Sequence, residues 1–483
     1  MTMNKPDILM IVSDQHTSFC SGFMGDKIVR TPNLDRLAAG GTVFESAYTS
    51  CPLCVPARSS LMTGVMPSGM NVFSNGDSLP SDQPTFAHAA AINGYETVLC
   101  GRMHFVGEDQ HHGFSQRIFG DILHRFGGGS NERMGAYAPL LGYIHCLDRY
   151  GRGYNPVLAY DADVANAAVK YLSEEHEKPQ MITTGFYGPH FPYFAPADLF
   201  DYYRSRVTLP ETRIREPDYR HEAVMHKEQN ASDECVLDIR AAYYAMIETM
   251  DRETGKILEA WYSHLEKNKR EGIIIYASDH GDQIGERNIY GKQTFYEMSA
   301  GIPMIINGCG IPKGIKISSP VSINDIAPTI CDLVSADPLP SIDGTSLLPV
   351  MHGEKDGQRP VFCEYVDNPG GRDVPGRMVR FEKWKLISYA GYDDQDLLFD
   401  LEKDPYELNN VIGDNPETAQ ELKALLKNDW NPEEMLVRAE RKKHQRQLMH
   451  KWGKAVRPDD PLLWQPSAEM INRLHAGMTG FIP

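Results

Sequence analysis

Apolar residues gather in this chain into short, nearly unbroken runs that end in polar turns. Asp7-Ile8-Leu9-Met10-Ile11-Val12-Ser13 is the first, and Gly272-Ile273-Ile274-Ile275-Tyr276-Ala277-Ser278 repeats the design much later. Such runs mark strands buried on both faces of a parallel sheet. Glu96 to Cys100, Met181 to Phe186 and Pro303 to Asn307 are further strand-like segments, with amphipathic helices between them such as Ala241 to Trp261. Thr31-Pro32-Asn33-Leu34 opens a helix that runs through Ala39 and closes at Gly40-Gly41. Alternation of this kind predicts one large α/β domain rather than several small ones.

The texture changes after Asp343-Gly344-Thr345-Ser346-Leu347-Leu348-Pro349. Pro360 to Tyr365, Arg377 to Arg380, Lys385 to Tyr389 and Asp396 to Asp400 are short extended runs separated by turns, the pattern of a small antiparallel sheet. Asn431 to Lys454 is charge-rich and predicted helical, and its basic stretch Arg438 to Arg446 reads as a solvated face. We therefore expect a large α/β domain over residues 1–350, with a mixed central sheet flanked by helices. A smaller α+β domain with an antiparallel sheet follows over 351–430, then a helix and tail over 431–483. The tail carries apolar anchors at Leu462, Leu463, Trp464 and Phe481, suited to packing on a neighbouring subunit or on its own domain.

Charge narrows the partners. Across 483 residues, 48 basic against 65 acidic side chains leave a net charge of −17, so there is no basic field to gather a phosphate backbone. A small anionic substrate stays open, because a local cluster of cationic groups and metal can override the global sign. Met1 to Pro6 lacks a basic leader with a long apolar segment, and no run of 18 apolar residues occurs. The nine cysteines are odd in number and scattered, unlike a disulfide framework. We expect a cytoplasmic protein with neither nucleic-acid nor membrane partners.

Candidate chemistry concentrates at Cys54, in Cys54-Val55-Pro56-Ala57-Arg58-Ser59-Ser60-Leu61-Met62-Thr63-Gly64. Pro56 suits the first turn of a helix and Gly64 its stop. Cys54 would then sit at a helix N-terminus, which favours an anion, with Arg58 one turn on to neutralise it. Cys51-Pro52-Leu53-Cys54 is also formally a Cys-x-x-Cys, so a redox pair, a zinc half-site or a buried structural thiol are alternatives on the residues alone. Asp14-Gln15 follows the first buried strand and Asp279-His280-Gly281-Asp282 the later one. Ligands bind beyond the carboxyl ends of strands in open α/β sheets, so the two clusters are expected to meet there. As residues alone, Asp14 and Asp279 also suit helix N-caps.

Cys-x-Pro-x-Arg followed by Leu-x-Thr-Gly resembles the motif of type I sulfatases, in which that cysteine is oxidised to formylglycine. The resemblance extends over most of the chain. It takes in Ser13-Asp14-Gln15, Gly101-Arg102-Met103-His104-Phe105, Gly188-Pro189-His190, Ser278-Asp279-His280-Gly281-Asp282, Gly291-Lys292 and Leu398-Phe399-Asp400-Leu401-x-x-Asp404-Pro405-x-Glu407. It is nearest to choline sulfatases, arylsulfatases and phosphonate monoester hydrolases, within the alkaline phosphatase superfamily. The resemblance implies a divalent ion, Ca2+ or Mn2+, held by Asp14, processed Cys54, Asp279 and His280, with Gln15 nearby; oxygen-rich ligation with one imidazole suits such an ion. It implies maturation by a formylglycine-generating enzyme, a homo-oligomer (dimer or tetramer), and a hydrated aldehyde whose one hydroxyl attacks sulfur while the other later expels sulfate. Asp279 would be the base for that nucleophile, Arg58 and His104 its holders. Arg102, His190 and Lys292 would clamp the sulfate, His190 or Lys292 would protonate the leaving group, and Asn75 would touch the sulfate. Arg102 departs from the pattern, since the family usually has lysine there; arginine binds sulfate bidentately but is a poor proton donor.

The expected activity is hydrolysis of a small organic or aryl sulfate ester. The same nucleophile and metal would also serve a phosphonate monoester hydrolase or phosphodiesterase, because phosphoryl and sulfuryl groups share tetrahedral geometry. A binding protein with unmodified Cys54 is the third reading, disfavoured because so many like charges are costly to bury without an ion. Substrate choice is not legible. No tryptophan lies between Arg117 and Tyr160, where an ammonium cage would need aromatic residues, though Tyr137, Tyr143, Tyr150 and Tyr154 do. His111 and His112 suit a loop or packing role as well as a functional one.

Overall fold

The computed structural model describes residues 5–456 except 126–130, 134–145, 148, 154, 214–219 and 355–358. The tail anchors beyond residue 456 and Tyr137, Tyr143 and Tyr154 lie outside the described residues. In chain order the central sheet contains β1 (Asp7–Asp14), β2 (Gly41–Phe44), β3 (Glu96–Gly101), β4 (Gln116–Phe119), β5 (Gln180–Pro189), β6 (Gly272–Ser278), β7 (Met304–Gly308) and β8 (Ile315–Ile317). Their spatial order is β8-β2-β7-β6-β1-β5-β3-β4. β7 runs antiparallel to both neighbours and the other pairs are parallel, so the sheet is mixed, as expected.

The unbroken apolar pattern of β1 has a direct cause in the layers. Leu9 and Ile11 face one core, shared with α4 (Pro156–Ser173) and α5 (Asp233–Asn268), while Ile8, Met10 and Val12 face the other. That second core is filled by α2 (Cys54–Thr63), α3 (Phe86–Ile92) and α6 (Ile326–Leu333). All five β1 residues are fully buried, each contributing roughly 1.5–3 kcal/mol. Helix α1 (Pro32–Ala39) matches its predicted span, and Asp251 of α5 accepts hydrogen bonds from the N–H groups of Asn33 and Leu34 in its first turn.

A second sheet lies in the C-terminal part, with β9 (Val361–Asp367), β10 (Val374–Phe381), β11 (Trp384–Tyr389) and β12 (Leu397–Asp400) antiparallel in that order. One face packs Cys363, Tyr389 and Phe399 against Tyr48, Cys51, Leu53 and Phe295 of the large domain. The other buries Val379, Leu386 and Leu398 under Leu422 and Leu426 of α7 (Pro416–Lys427). The last helix, α8 (Pro432–Val456), is less solvated than its basic stretch suggests. Arg446 Nη1 pairs with Asp77 at 2.5 Å and Arg438 reaches the Ser68 carbonyl at 3.4 Å, while Met435 and Ala439 pack on Phe73. Among the described residues no helix is long and apolar enough to cross a membrane.

Candidate active site

Strand register builds the site. β1 and β6 are paired in parallel with Ser13 opposite Ser278, so Asp14 and Asp279, the next residues of each strand, emerge side by side at the carboxyl edge. On the other flank the pairing of β1 with β5 shifts after Val12, setting Asp14 against Pro189 and delivering His190 to the same edge. β3 ends at Gly101, after which the chain turns closely over β5: Arg102 N–H donates to Gly185 O at 2.8 Å, and a Cβ on Gly185 would lie 1.7 Å from Arg102 O. Only glycine allows that approach.

The nucleophile candidate comes from α2. Leu53 gives the helix no side-chain cap, and Asn75 Oδ1 instead accepts from Val55 N–H at 2.9 Å. Gly64, with φ of 75°, stops the helix by donating to Ser60 O at 2.8 Å, as Gly at this position predicts. Cys54 Sγ thereby stands 3.6 Å from Asp14 Oδ1, 3.3 Å from His280 Nε2 and 3.1 Å from Lys292 Nζ. His104 and His190 lie close enough to add to the pull on its charge. Burial alone would raise this thiol, but Lys292 and His280, then the two other histidines, pull it well below its ordinary value. Cys51, three residues earlier, is pushed well up by burial and by the neighbouring Cys363 and Glu364. All nine cysteines are unpaired, so Cys51-x-x-Cys54 is not a disulfide here.

The two carboxylates are divided between support and pocket. Arg58 Nε donates to Asp279 Oδ2 at 2.8 Å and its Nη2 to Asp14 Oδ2 at 3.2 Å, with Nη1 on Arg102 O at 2.8 Å. The inner Oδ1 atoms are left facing the histidine: His280 Nε2 lies 3.9 Å from that of Asp14 and 3.6 Å from that of Asp279. His280 Nδ1 is hydrogen-bonded to Gly281 O at 2.9 Å, which places a proton on Nδ1 and turns Nε2 inward, the orientation a metal ligand needs. Ligand atoms of Asp14, Cys54, Asp279 and His280 all lie within 4.8 Å of one another. Burial and Cys54 push the Asp14 carboxyl up, yet Arg102 and Arg58 hold it well below the usual range. Burial and the charge of Asp14 raise Asp279. This donor set fits a hard divalent cation once an oxygen replaces the thiol of residue 54.

Every expected site residue is brought to this pocket or its wall, in differing orientations. Gln15 does not turn its side chain to the carboxylates: its Oε1 accepts from Lys292 Nζ at 2.6 Å, and its backbone N–H donates to Asp279 Oδ1 at 3.0 Å. Arg102, expected in the sulfate clamp, has its fork engaged by Asp14 at 2.5 Å, Asp121 at 3.1 Å and His104 Nδ1 at 2.8 Å, and its guanidinium lies 4.3 Å over the Tyr187 ring. It is 1% exposed and backs the site from within, whereas Lys292 has a 9% exposed side chain and His190 is 7% exposed. Gln15 and His104 have φ of 69° and 59°, left-handed values that cost of order 1–2 kcal/mol each and that cluster at this edge. Asp121 and Tyr187 were missed by sequence reasoning: Asp121 engages Arg102 and the His104 N–H, Tyr187 lies against Arg102 and 4.7 Å from the His190 ring, and neither carries a spacing signal of its own. His111 and His112 stay in the loop packing, with His112 against Phe105 at 4.5 Å and Asp109 at 3.3 Å.

Comparison with known proteins decides what this arrangement belongs to. The sulfatase family signature matches residues 6–336, and a second, described as N-sulphoglucosamine sulphohydrolase, C-terminal, matches residues 285–434. The chain belongs to the sulfatase family. It is 34% identical to a choline-sulfatase of Rhizobium meliloti (strain 1021), over 86% of this chain and 84% of that one. An arylsulfatase of Clostridium perfringens (strain 13 / Type A) is 29% identical, over 84% and 90% of the two chains. Among solved structures, a protein in complex with its substrate D-glucosamine-2-N,6-O-disulfate superposes with a TM-score of 0.73 at 23% identity, over 88% of this chain and 97% of that one. The phosphonate monoester hydrolase of Agrobacterium radiobacter superposes with a TM-score of 0.69 at 24% identity, over 90% and 96%. Those two likenesses establish the fold. The sulfatase is a sulfuric ester hydrolase.

Proposed function

We propose that this sulfatase hydrolyses a small organic or aryl sulfate monoester, with residue 54, after oxidation of its cysteine to formylglycine, supplying the attacking oxygen. The observation that carries the reading is the convergence on Cys54 Sγ of a carboxylate, an inward imidazole nitrogen and a lysine ammonium, at 3.6, 3.3 and 3.1 Å. Asp14, Asp279, His280 and residue 54 would hold one divalent ion, Ca2+ or Mn2+, which when bound lowers the pKa of a coordinated hydroxyl and neutralises ester charge. Arg58 fixes both aspartates from behind, leaving their inner oxygens for the ion. Asp279, raised by its surroundings, is the proposed base for the nucleophile.

Lys292 and His190 are less deeply buried than Arg102, with Lys292 Nζ 3.1 Å from Cys54 Sγ, so we assign them the sulfate and the leaving oxygen. Arg102, engaged behind Asp14, acts on the sulfate through its charge rather than by direct grip, a role that also suits its inability to donate a proton. His104 holds residue 54. Choline sulfate, the substrate in the name of one relative, belongs among the esters to be tried. The fold of phosphonate monoester hydrolases supports a second reading, in which phosphonate monoesters are also cleaved.

The test is the mass of the tryptic peptide containing residue 54, from protein made together with a formylglycine-generating enzyme, alongside hydrolysis of nitrophenyl sulfate, choline sulfate and a phenylphosphonate ester. An aldehyde at residue 54 and loss of hydrolysis in Cys54→Ala are expected. A stoichiometric thiol in fully active protein would sink the formylglycine mechanism, and faster phosphonate than sulfate hydrolysis would favour the second reading.

A further inference from the structure

β5 leaves its neighbours just before it delivers His190. Its pairing with β1 runs in register to Val12 opposite Gly185, its pairing with β3 ends at Gly101 opposite Gly185, and the ladder resumes only where Pro189 meets Asp14. Tyr187 and Gly188 lie in that gap and are buried, so their backbone N–H groups need acceptors that the sheet does not supply. Asp161 of α4 supplies both. Its Oδ1 accepts from Tyr187 N–H at 2.7 Å and its Oδ2 from Gly188 N–H at 2.8 Å. A Cβ on Gly188 would stand 2.6 Å from Oδ2, so the carboxylate reaches the chain because residue 188 is glycine. Asp161 is 1% exposed, and a carboxylate buried inside a helix to that extent is costly unless such bonds offset it.

The turn fixed in this way carries His190. Tyr187 O accepts from His190 N–H at 3.2 Å, and the Tyr187 ring lies 4.7 Å from the imidazole. The same helix also holds the chain beyond His190: Asn155, at the start of α4, donates from Nδ2 to Pro192 O at 3.0 Å and to Phe194 O at 2.7 Å. His190 Nδ1 donates to Phe191 O at 2.7 Å, which leaves Nε2 as the nitrogen for the ester. Tied to Phe191, the imidazole follows its own backbone, and a shift of the turn moves Nε2 with it.

We propose that Asp161 is a positioning residue for the hydrolysis: by holding the two N–H groups that the sheet leaves unpaired, it sets where His190 stands against the substrate. The proposal rests on the reading that His190 receives the sulfate or the leaving oxygen. Asp161 acts through the Tyr187–His190 turn and not on the ester itself.

The experiment uses the full-length, matured protein and nitrophenyl sulfate, comparing Asp161→Asn, Asp161→Ala, His190→Ala, the double variant of Asp161→Asn with His190→Ala, and Tyr171→Phe. Tyr171→Phe is the structural control. It removes another buried hydrogen bond between α4 and β5, from Tyr171 Oη to Gln180 Oε1 at 2.6 Å, at the far end of the strand. Asp161→Asn keeps one acceptor oxygen and is expected to lower kcat/KM about tenfold, and Asp161→Ala, which keeps none, about a hundredfold, since small misplacements are costly at a reacting centre. In the His190→Ala background Asp161→Asn should cost less than about twofold further, as for two residues acting through one group. Divalent-ion content stays at the parent value in Asp161→Asn, and Tyr171→Phe lowers the unfolding temperature while leaving kcat/KM near that of the parent. A loss from Asp161→Asn that persists undiminished in the His190→Ala background, a loss of bound ion with it, or parent kinetics in Asp161→Asn alongside an impaired His190→Ala would overturn the proposal. So would an equal fall in kcat/KM in Tyr171→Phe at the same drop in unfolding temperature. Parent kinetics in His190→Ala would instead overturn the assignment of His190, and the role of Asp161 with it.

Discussion

Arg58 shows how one side chain can decide a site without facing its substrate. Its three donor nitrogens address Asp279, Asp14 and the Arg102 carbonyl at 2.8, 3.2 and 2.8 Å, and it is 1% exposed. An ammonium offers one point charge where the guanidinium offers a planar fork, so Arg58→Lys keeps the charge and loses the geometry. Outer partners of metal ligands are typically worth about 10–100-fold in affinity or activity. We expect Arg58→Lys to lower both divalent-ion affinity and kcat/KM by about that range, measured by metal titration of the apoprotein and by nitrophenyl sulfate kinetics; unchanged ion affinity would show that the aspartates hold themselves. Sequence reasoning reached Arg58 because its spacing from Cys54 is fixed by one helix turn. It reached the aspartates because each follows a buried run. It did not reach Asp121 or Tyr187, whose partners are fixed only by how β3, β4 and β5 pack. It also aimed Arg102 at the substrate, because a basic residue's distance along the chain does not say which carboxylate will claim it.

Elements were legible where a local signal sufficed. The stop at Gly64, the start at Pro32 and the buried runs of β1 and β6 match the structure closely, because capping chemistry and two-sided burial are written in adjacent residues. Helix α5 runs from Asp233 to Asn268, well beyond the predicted Ala241 to Trp261, because Ser232 caps its start and Val236, Ile239 and His264 keep the added turns buried. Contacts between distant elements left no such signal, and Lys385 is the sharpest case. This lysine of β11 is fully buried and lies 2.7 Å from Glu297 and 2.8 Å from Glu407, joining the C-terminal sheet to the large domain and to the segment after β12. Removing the cation leaves two carboxylates together out of water. Lys385→Met is therefore expected to destabilise the fold by about 3–5 kcal/mol in urea denaturation, despite its matching shape. Adding Glu407→Gln should return part of that loss, because the penalty comes from the uncompensated acids; no recovery would place the cost in packing instead.

At the scale of the whole molecule the same interface makes stability depend on pH through His221. Its ring lies 4.5 Å from Tyr389 and 5.5 Å from Tyr392 of the C-terminal part, its Nδ1 accepts from Ala223 N–H at 3.1 Å, and its own backbone N–H donates to Tyr296 Oη at 3.0 Å. Burial pushes the imidazole from 6.5 down to about 4, against the opposing pull of Asp396 and Glu222. A depressed histidine binds fewer protons folded than unfolded, so its contribution is present in full above about pH 6.5 and is lost as pH falls through about 4. A difference of that size corresponds to about 3 kcal/mol. His221→Asn keeps an acceptor for Ala223 N–H and cannot take up the proton. Its unfolding free energy should fall less than the parent's between pH 7 and pH 4, the two curves converging by about that amount, whereas parallel curves would place acid sensitivity elsewhere. Since the surface that His221 seals is continuous with Phe295 and Tyr389, behind the Lys292 loop, acid should raise KM before it unfolds the large domain. KM for nitrophenyl sulfate and tryptophan fluorescence followed together down the same pH series would separate the two events, and in His221→Asn that early rise in KM should shrink.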